Sequence, residues 1–196
     1  MPLLGVVSRL SDQKGTDVIL SILTRILDLD TQVVILGSGD PTAEGYLHWR
    51  SHHGGNRFRA WIGFSEAIAH RIEAGADMFI MPSRFEPCGL NQMYSQRYGT
   101  IPIVRATGGL QDTVENYDPA TGAGTGFKLW DLYPEALLAV VTWAVETYRE
   151  RPAHFRAMQV RAMKRHFGWD AAAAKYEEVY EWAIADRRVV MSAKGG

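Results

Sequence analysis

The chain has 196 residues, enough for one domain that buries about 70% of the surface its unfolded form exposes. With 21 Lys and Arg against 22 Asp and Glu, a formal charge of −1 and no block of like charges, it encodes no field suited to recruiting nucleic acid or an anionic membrane. Its one cysteine, Cys88, excludes an internal disulfide framework, and no apolar run approaches the roughly 20 residues a membrane helix needs. A soluble protein of a reducing compartment is expected.

No signal or transit peptide is legible: Met1-Pro2 run straight into a strand, Leu3–Ser8, as at an engineered boundary or a natural one. Apolar periodicity then predicts a helix over 16–28, carried by Val18, Ile19, Ile22, Leu23, Ile26 and Leu27, and a strand over 32–36. A helix over 41–50, a strand over 58–62, a helix over 65–74 and a strand over 77–81 follow. Beyond them come a helix over 89–98, a strand over 101–104 and a glycine-rich irregular stretch over 107–126. Strands alternating with helices imply an α/β fold built on a parallel sheet with right-handed crossovers.

After Tyr133-Pro134 the pattern is helical only, over 134–149, 152–164 and 170–185, the last being the best placed to touch a partner. The expected organisation is a single domain over 1–186 and a disordered tail over 187–196.

The most informative stretch is Ser83-Arg84-Phe85-Glu86-Pro87-Cys88-Gly89-Leu90, an acidic loop between a strand and the helix expected from Gly89. In a parallel sheet such a loop overlies the carboxyl ends of the strands, and free N–H groups at the helix start can hold an anion. Glu86 beside that start suggests a ligand with hydroxyls for the carboxylate and a phosphate for the amides.

The first strand delivers Arg9 and Lys14 into its own loop at the same sheet edge, where a guanidinium and an ammonium can grip a phosphate. The alternative is a solvated loop in which Ser11 or Asp12 caps the next helix. Phe64 stands at the rim, able to stack on a nucleobase or to pack in the core, with Ser65 as N-cap of the following helix. Gly108-Gly109 after Thr107 form either an anion nest or a plain turn.

Gly37-Ser38-Gly39-Asp40 lacks the third glycine of a dinucleotide fingerprint and reads as a tight turn. His52-His53 has no further ligand at metal spacing, Cys88 reads as a packing thiol, and the tryptophans, including Trp143, Trp169 and Trp182, read as core or interface.

Five segments stand in a telling order: Val7-Ser8-Arg9-Leu10, Gln13-Lys14-Gly15, Leu36-Gly37-Ser38-Gly39-Asp40, Pro82 to Leu90, and Thr107-Gly108-Gly109-Leu110-Gln111-Asp112-Thr113-Val114. Over about Leu3–Ile184 they resemble the C-terminal nucleotide-sugar-binding domain of bacterial glycogen synthases and plant starch synthases, retaining glucosyltransferases of the GT-B fold. The resemblance implies a Rossmann-like, doubly wound parallel sheet with extra C-terminal helices.

It further implies that Arg9 and Lys14 hold the diphosphate of ADP-glucose and that Glu86 bonds the glucose hydroxyls, near the amides of Cys88, Gly89 and Leu90. Phe64 would lie against adenine, and Thr107, Gly108 and Gly109 would line the phosphates. Tyr94 falls where many GT-B enzymes carry a second, ribose-binding acid, so this chain departs from that pattern. No cofactor is implied beyond the donor.

The N-terminal domain of the family supplies the α-glucan acceptor groove and a catalytic His, and no such segment is present. The expectation is therefore a donor-binding half that is inactive alone, cytoplasmic if bacterial and plastid if from a plant. Two other readings stay open: a GT-B lobe using another donor such as UDP-glucose, or a non-catalytic nucleotide-binding domain.

Overall fold

Runs of β-branched and apolar residues alternate with amphipathic helices, and a computed structural model, describing residues 1–194, resolves them into a six-stranded sheet. The order in sequence is β1 (Leu3–Val7), a 3-10 turn (Asp12–Lys14), α1 (Thr16–Asp28), β2 (Gln32–Gly37), α2 (Pro41–His53), β3 (Phe58–Ile62), α3 (Glu66–Gly75) and β4 (Met78–Met81). Then follow α4 (Asn91–Tyr98), β5 (Ile101–Arg105), α5 (Gly108–Thr113), β6 (Phe127–Leu129), α6 (Pro134–Glu150), α7 (Pro152–Met163) and α8 (Trp169–Lys194).

All neighbouring strands are parallel, in the order β3-β2-β1-β4-β5-β6. The chain winds outward from β1 one way and from β4 the other, so the topological switch point lies between these two strands. Ligands of open α/β sheets bind outside the carboxyl ends of the strands at such a point. The sheet is the expected doubly wound one.

Alternation along the strands sends side chains to both faces. On one face Leu4, Val6, Val33, Ile35, Met78 and Ile80 are buried in a cluster with α1 residues such as Ile22, Leu23 and Ile26 and α6 residues such as Leu137 and Val141. On the other, Leu36 and Phe79 pack with Ile72 of α3 in a smaller cluster. The thinner layer on that face leaves room for a cleft above the strand ends.

Four expectations change. The helix expected from Gly89 starts at Asn91, with Leu90 at its N-cap, so Gly89 and Leu90 belong to the preceding loop. The stretch over 107–126 contains α5 and is followed by β6, a three-residue strand too short to declare itself by alternation.

Residues 187–194, expected as a tail, continue α8, while Gly195 and Gly196 lie outside the described residues. The chain also divides into two compact units, Met1–Arg165 and His166–Gly196, in place of one domain over 1–186. In the second unit Tyr176, Val179, Tyr180, Trp182 and Ile184 are exposed along α8. No described helix is long and apolar enough to cross a membrane.

Candidate active site

Two clefts open at the carboxyl ends of the strands. The smaller, about 260 Å³, sits at the switch point and is lined by Arg9, Lys14, Ser83, Glu86, Gly89 and Asn91 among others. The larger, about 540 Å³, lies over the ends of β1, β2 and β3 and is walled by α3 and α4, with Phe64, His70, Glu73 and Tyr94 among its residues. Val7, Ser8, Arg9, Leu90 and Asn91 line both, so the two are adjoining parts of one groove.

The 3-10 turn exists because Gly15 takes the left-handed conformation, φ +71°. A Cβ there would stand 2.4 Å from the Pro82 carbonyl oxygen, so only glycine lets this turn press against the loop after β4. Four contacts then lock turn and loop together. Arg84 N–H donates to Gln13 O at 2.8 Å, the Arg84 guanidinium grips the Asp17 carboxylate through two bonds of 2.7 Å and donates to Asp12 O at 2.5 Å, and Gln13 Nε2 donates to Phe85 O at 3.3 Å. Fork-to-fork pairing of this kind fixes geometry as well as charge.

This bracing brings Lys14 to Glu86: Nζ donates to Oε2 at 2.5 Å, and Ser83 Oγ donates to the same oxygen at 3.1 Å. Glu86 is 7% exposed, so its charge is largely withdrawn from water and needs these donors. Arg9 instead donates to Gln13 Oε1 at 3.3 Å and forms no ion pair among the described residues. The cation expected at a phosphate is therefore paired with the carboxylate expected at a sugar, while the second cation points a free charge at the groove.

Asn91, the first residue of α4, donates through Nδ2 to Val7 O at 3.0 Å and so ties the helix start to the end of β1. In the first turn Met93 N–H already bonds Leu90 O at 2.9 Å, and Leu90 and Asn91, at the helix start, line both clefts. The helix start expected to meet an anion thus lies at the groove, two residues later than expected.

Thr107-Gly108-Gly109 line neither cleft. Gly109 N–H is taken by the carbonyls of Glu86 and Pro87 at 3.1 and 3.2 Å, and Cβ atoms on Gly108 and Gly109 would stand 2.1 Å from the Glu86 and Cys88 carbonyl oxygens. The glycine pair lets one backbone approach another: it is the bed on which the Glu86 loop lies. Cys88 is exposed, with its thiol on the Gly89 carbonyl at 3.4 Å, and it too lies outside both clefts.

Phe64 is 88% exposed at the mouth of the larger cleft, so it is no core residue, and Ser65 caps α3 by accepting from Ile68 N–H. Neither Ser11 nor Asp12 caps α1, whose N-cap is Gly15. Asp40 caps α2 by accepting from Ala43 N–H at 2.8 Å, consistent with a turn at Gly37–Asp40. Of the singled-out tryptophans Trp143 packs against Phe127, but Trp169 and Trp182 are exposed. Each of His52 and His53 turns its Nδ1 to the carbonyl four residues back, and among the described residues no cluster of three or more His, Cys, Asp or Glu is spaced to hold a metal ion.

The residues the sequence reading missed are Glu66, His70 and Glu73 of α3. Placed after the Ser65 cap, they recur at helical spacing and so share one face. That was the available signal, but nothing in it said which face meets the groove.

Comparison with known proteins settles the family. A model of the glycosyl transferases group 1 matches residues 1–156. The chain belongs to that family.

It is 49% identical over 187 residues to glycogen synthase 1 of Geobacter metallireducens, covering 95% of this chain and 37% of that protein. It is 46% identical over 189 residues to soluble starch synthase 1 of Solanum tuberosum, covering 94% of this chain and 30% of the other. Among solved structures, the catalytic domain of starch synthase IV from Arabidopsis thaliana bound to ADP and acarbose matches with a TM-score of 0.85 at 34% identity, over 94% of this chain and 38% of that one. The chain thus spans 30% to 38% of the length of these relatives.

Proposed function

We propose that the chain is the ADP-glucose-binding lobe of an enzyme that transfers glucose, with retention, to the non-reducing end of an α-1,4-glucan. The observation that carries this reading is the Arg9, Lys14 and Glu86 cluster at the switch point, in a fold matching a starch synthase domain bound to ADP and acarbose. Pyrophosphate lies at Arg9, Lys14 and the start of α4, glucose near Glu86, and the nucleoside along the larger cleft toward Phe64.

Breaking the anomeric C–O bond gives an oxocarbenium-like sugar and puts negative charge on the departing diphosphate. Fixed cations and amide dipoles aimed at that charge lower the barrier, each typically by about 3 kcal/mol. Arg9 supplies a cation already free of carboxylates. Lys14 turns from Glu86 to the phosphates when donor arrives, which releases Glu86 to accept from glucose hydroxyls.

The glucan groove and the remaining catalytic groups belong to the part of the relatives that these residues do not span, so donor binding and not turnover is the activity assigned to them. Titration calorimetry with ADP, ADP-glucose, UDP and UDP-glucose tests the reading. ADP and ADP-glucose bind, and the uridine compounds bind at least about tenfold more weakly, a gap of 1.4 kcal/mol. Absence of ADP binding at millimolar concentration, or tighter binding of UDP, overturns it.

A further inference from the structure

The nucleoside cleft contains a buried acid that the reading above does not use. Glu66, Ala69, His70 and Glu73 fall at i, i+3, i+4 and i+7 of α3, and this stripe is the face that lines the larger cleft. Glu73 is 2% exposed. Its Oε2 lies 3.3 Å from His70 Nδ1, yet neither atom completes a directed hydrogen bond. Burial holds the Glu73 carboxyl above the ordinary carboxylate range, with the His70 charge opposing.

A buried acid with one imperfect partner is a poor device for stability, since an apolar side chain of similar size avoids the desolvation cost. It is a good device for aiming a ring. With Nδ1 buried against Glu73, the other nitrogen, Nε2, is left on the open side, 3.9 Å from the exposed carboxylate of Glu66. The ring centroids of His70 and Tyr94 are 5.8 Å apart, and Tyr98 flanks the imidazole at 6.2 Å. His70 and Tyr94 thus form one polar patch on the wall of the cleft that Phe64 lines as well, and that Arg9 joins to the smaller cleft.

A nucleoside diphosphate with its phosphates at Arg9 and its base at Phe64 carries its ribose between the two, within the cleft that His70 and Tyr94 line. Tyr94 has no charge with which to hold a diol. We propose that His70, its ring set by buried Glu73, is the ribose-recognising group of the groove, its Nε2 bonding a ribose hydroxyl beside Tyr94, with Glu73 as a positioning residue. The inference rests on the donor reading and adds the residues that read the sugar of the nucleotide.

Calorimetry on the full chain with ADP, 2′-deoxy-ADP and 3′-deoxy-ADP separates the two. Wild type is expected to bind ADP about tenfold more tightly than at least one deoxy analogue. His70→Ala brings ADP down to the affinity of that analogue while leaving the analogue unchanged, and His70→Gln, which keeps a polar atom near the Nε2 position, restores part of the difference. Glu73→Met keeps the fold, narrows the same ratio, and moves the His70 ring ¹⁵N shifts from one tautomer toward a mixture.

Retention of both ADP affinity and the ADP-to-deoxy ratio in His70→Ala overturns the inference alone. Equal loss for all three ligands, in His70→Ala and in His70→Gln, does so too, because it marks a packing role. Failure of wild type to bind ADP overturns the donor reading and this inference with it.

Discussion

Lys14 Nζ and Glu86 Oε2 stand 2.5 Å apart, joining a turn after β1 to a loop after β4 across 72 residues of chain. The pair satisfies a carboxylate that burial would otherwise make costly. On the donor reading proposed above, it also keeps the ammonium beside the diphosphate site.

Replacing either partner separates these roles. A hydrogen bond to a charged group contributes about 1.5–3 kcal/mol, so Lys14→Ala weakens ADP binding by about tenfold to a hundredfold. Glu86→Gln leaves ADP affinity unchanged or improves it, because Lys14 is no longer held, but erases the gain that glucose adds in ADP-glucose. Calorimetry with both ligands checks this, and loss of ADP affinity in Glu86→Gln contradicts the assignment.

The Arg84–Asp17 fork is a pH-dependent strut. Asp17 is held below its ordinary value of 3.8 chiefly by the hydrogen bond from Arg84. A depressed carboxylate contributes stability in full above its unfolded value, and that contribution fades as pH falls through the lower folded value. Asp17→Asn therefore lowers the melting temperature at neutral pH, and the gap to wild type closes only below about pH 4. Because both side chains are more than 40% exposed, the loss is that of a surface pair, at most about 1 kcal/mol. Melting curves at neutral and acid pH decide, and a gap that widens on acidification contradicts the sign.

Glycines divide by what a methyl group would meet. Gly109→Ala drives a Cβ to 2.1 Å from the Cys88 carbonyl oxygen, so the Glu86 loop must lift from its bed. Overpacking of this kind costs about 1–3 kcal/mol, and ADP-glucose binding falls with it. Gly45, exposed in α2, would meet nothing within 4 Å, so Gly45→Ala stabilises by about 0.5–1 kcal/mol. Denaturant unfolding of the two variants gives opposite signs, and a stable, fully binding Gly109→Ala defeats the argument.

Much of this was legible in the sequence because the informative residues sit at strand ends. The runs Leu3–Val7 and Gln32–Leu36 announce strands by composition, and Ser65 and Asp40 announce helix starts by capping chemistry. Arg9, Lys14 and Glu86 follow strand ends directly, so parallel topology alone brings them to one edge. What stayed hidden depends on through-space contacts.

That Lys14 pairs with Glu86, and that Gly108-Gly109 lie against the Glu86 loop, requires knowing which backbones touch. The start of α4 lies two residues beyond where the sequence suggests because the left-handed Gly89, φ +75°, cannot belong to the helix and the N-cap, Leu90, has no capping side chain to announce it. His70 and Glu73 were invisible for a further reason: a half-polar helix face reads as solvated until a neighbouring helix turns it into a wall.

Phe64 offers the cleanest separation of binding from stability. At 88% exposure its ring touches too little protein to hold the fold, so its loss reads out binding and not packing. Stacking on a base contributes about 1–3 kcal/mol where it has been measured by truncation. Phe64→Ala is expected to melt at the wild-type temperature yet bind ADP about tenfold more weakly, and Phe64→Tyr to bind as wild type does. Inorganic pyrophosphate, which has no base, binds Phe64→Ala and wild type alike. Equal weakening toward ADP and pyrophosphate would place Phe64 near the phosphates, and an unchanged ADP affinity would leave the base elsewhere in the groove.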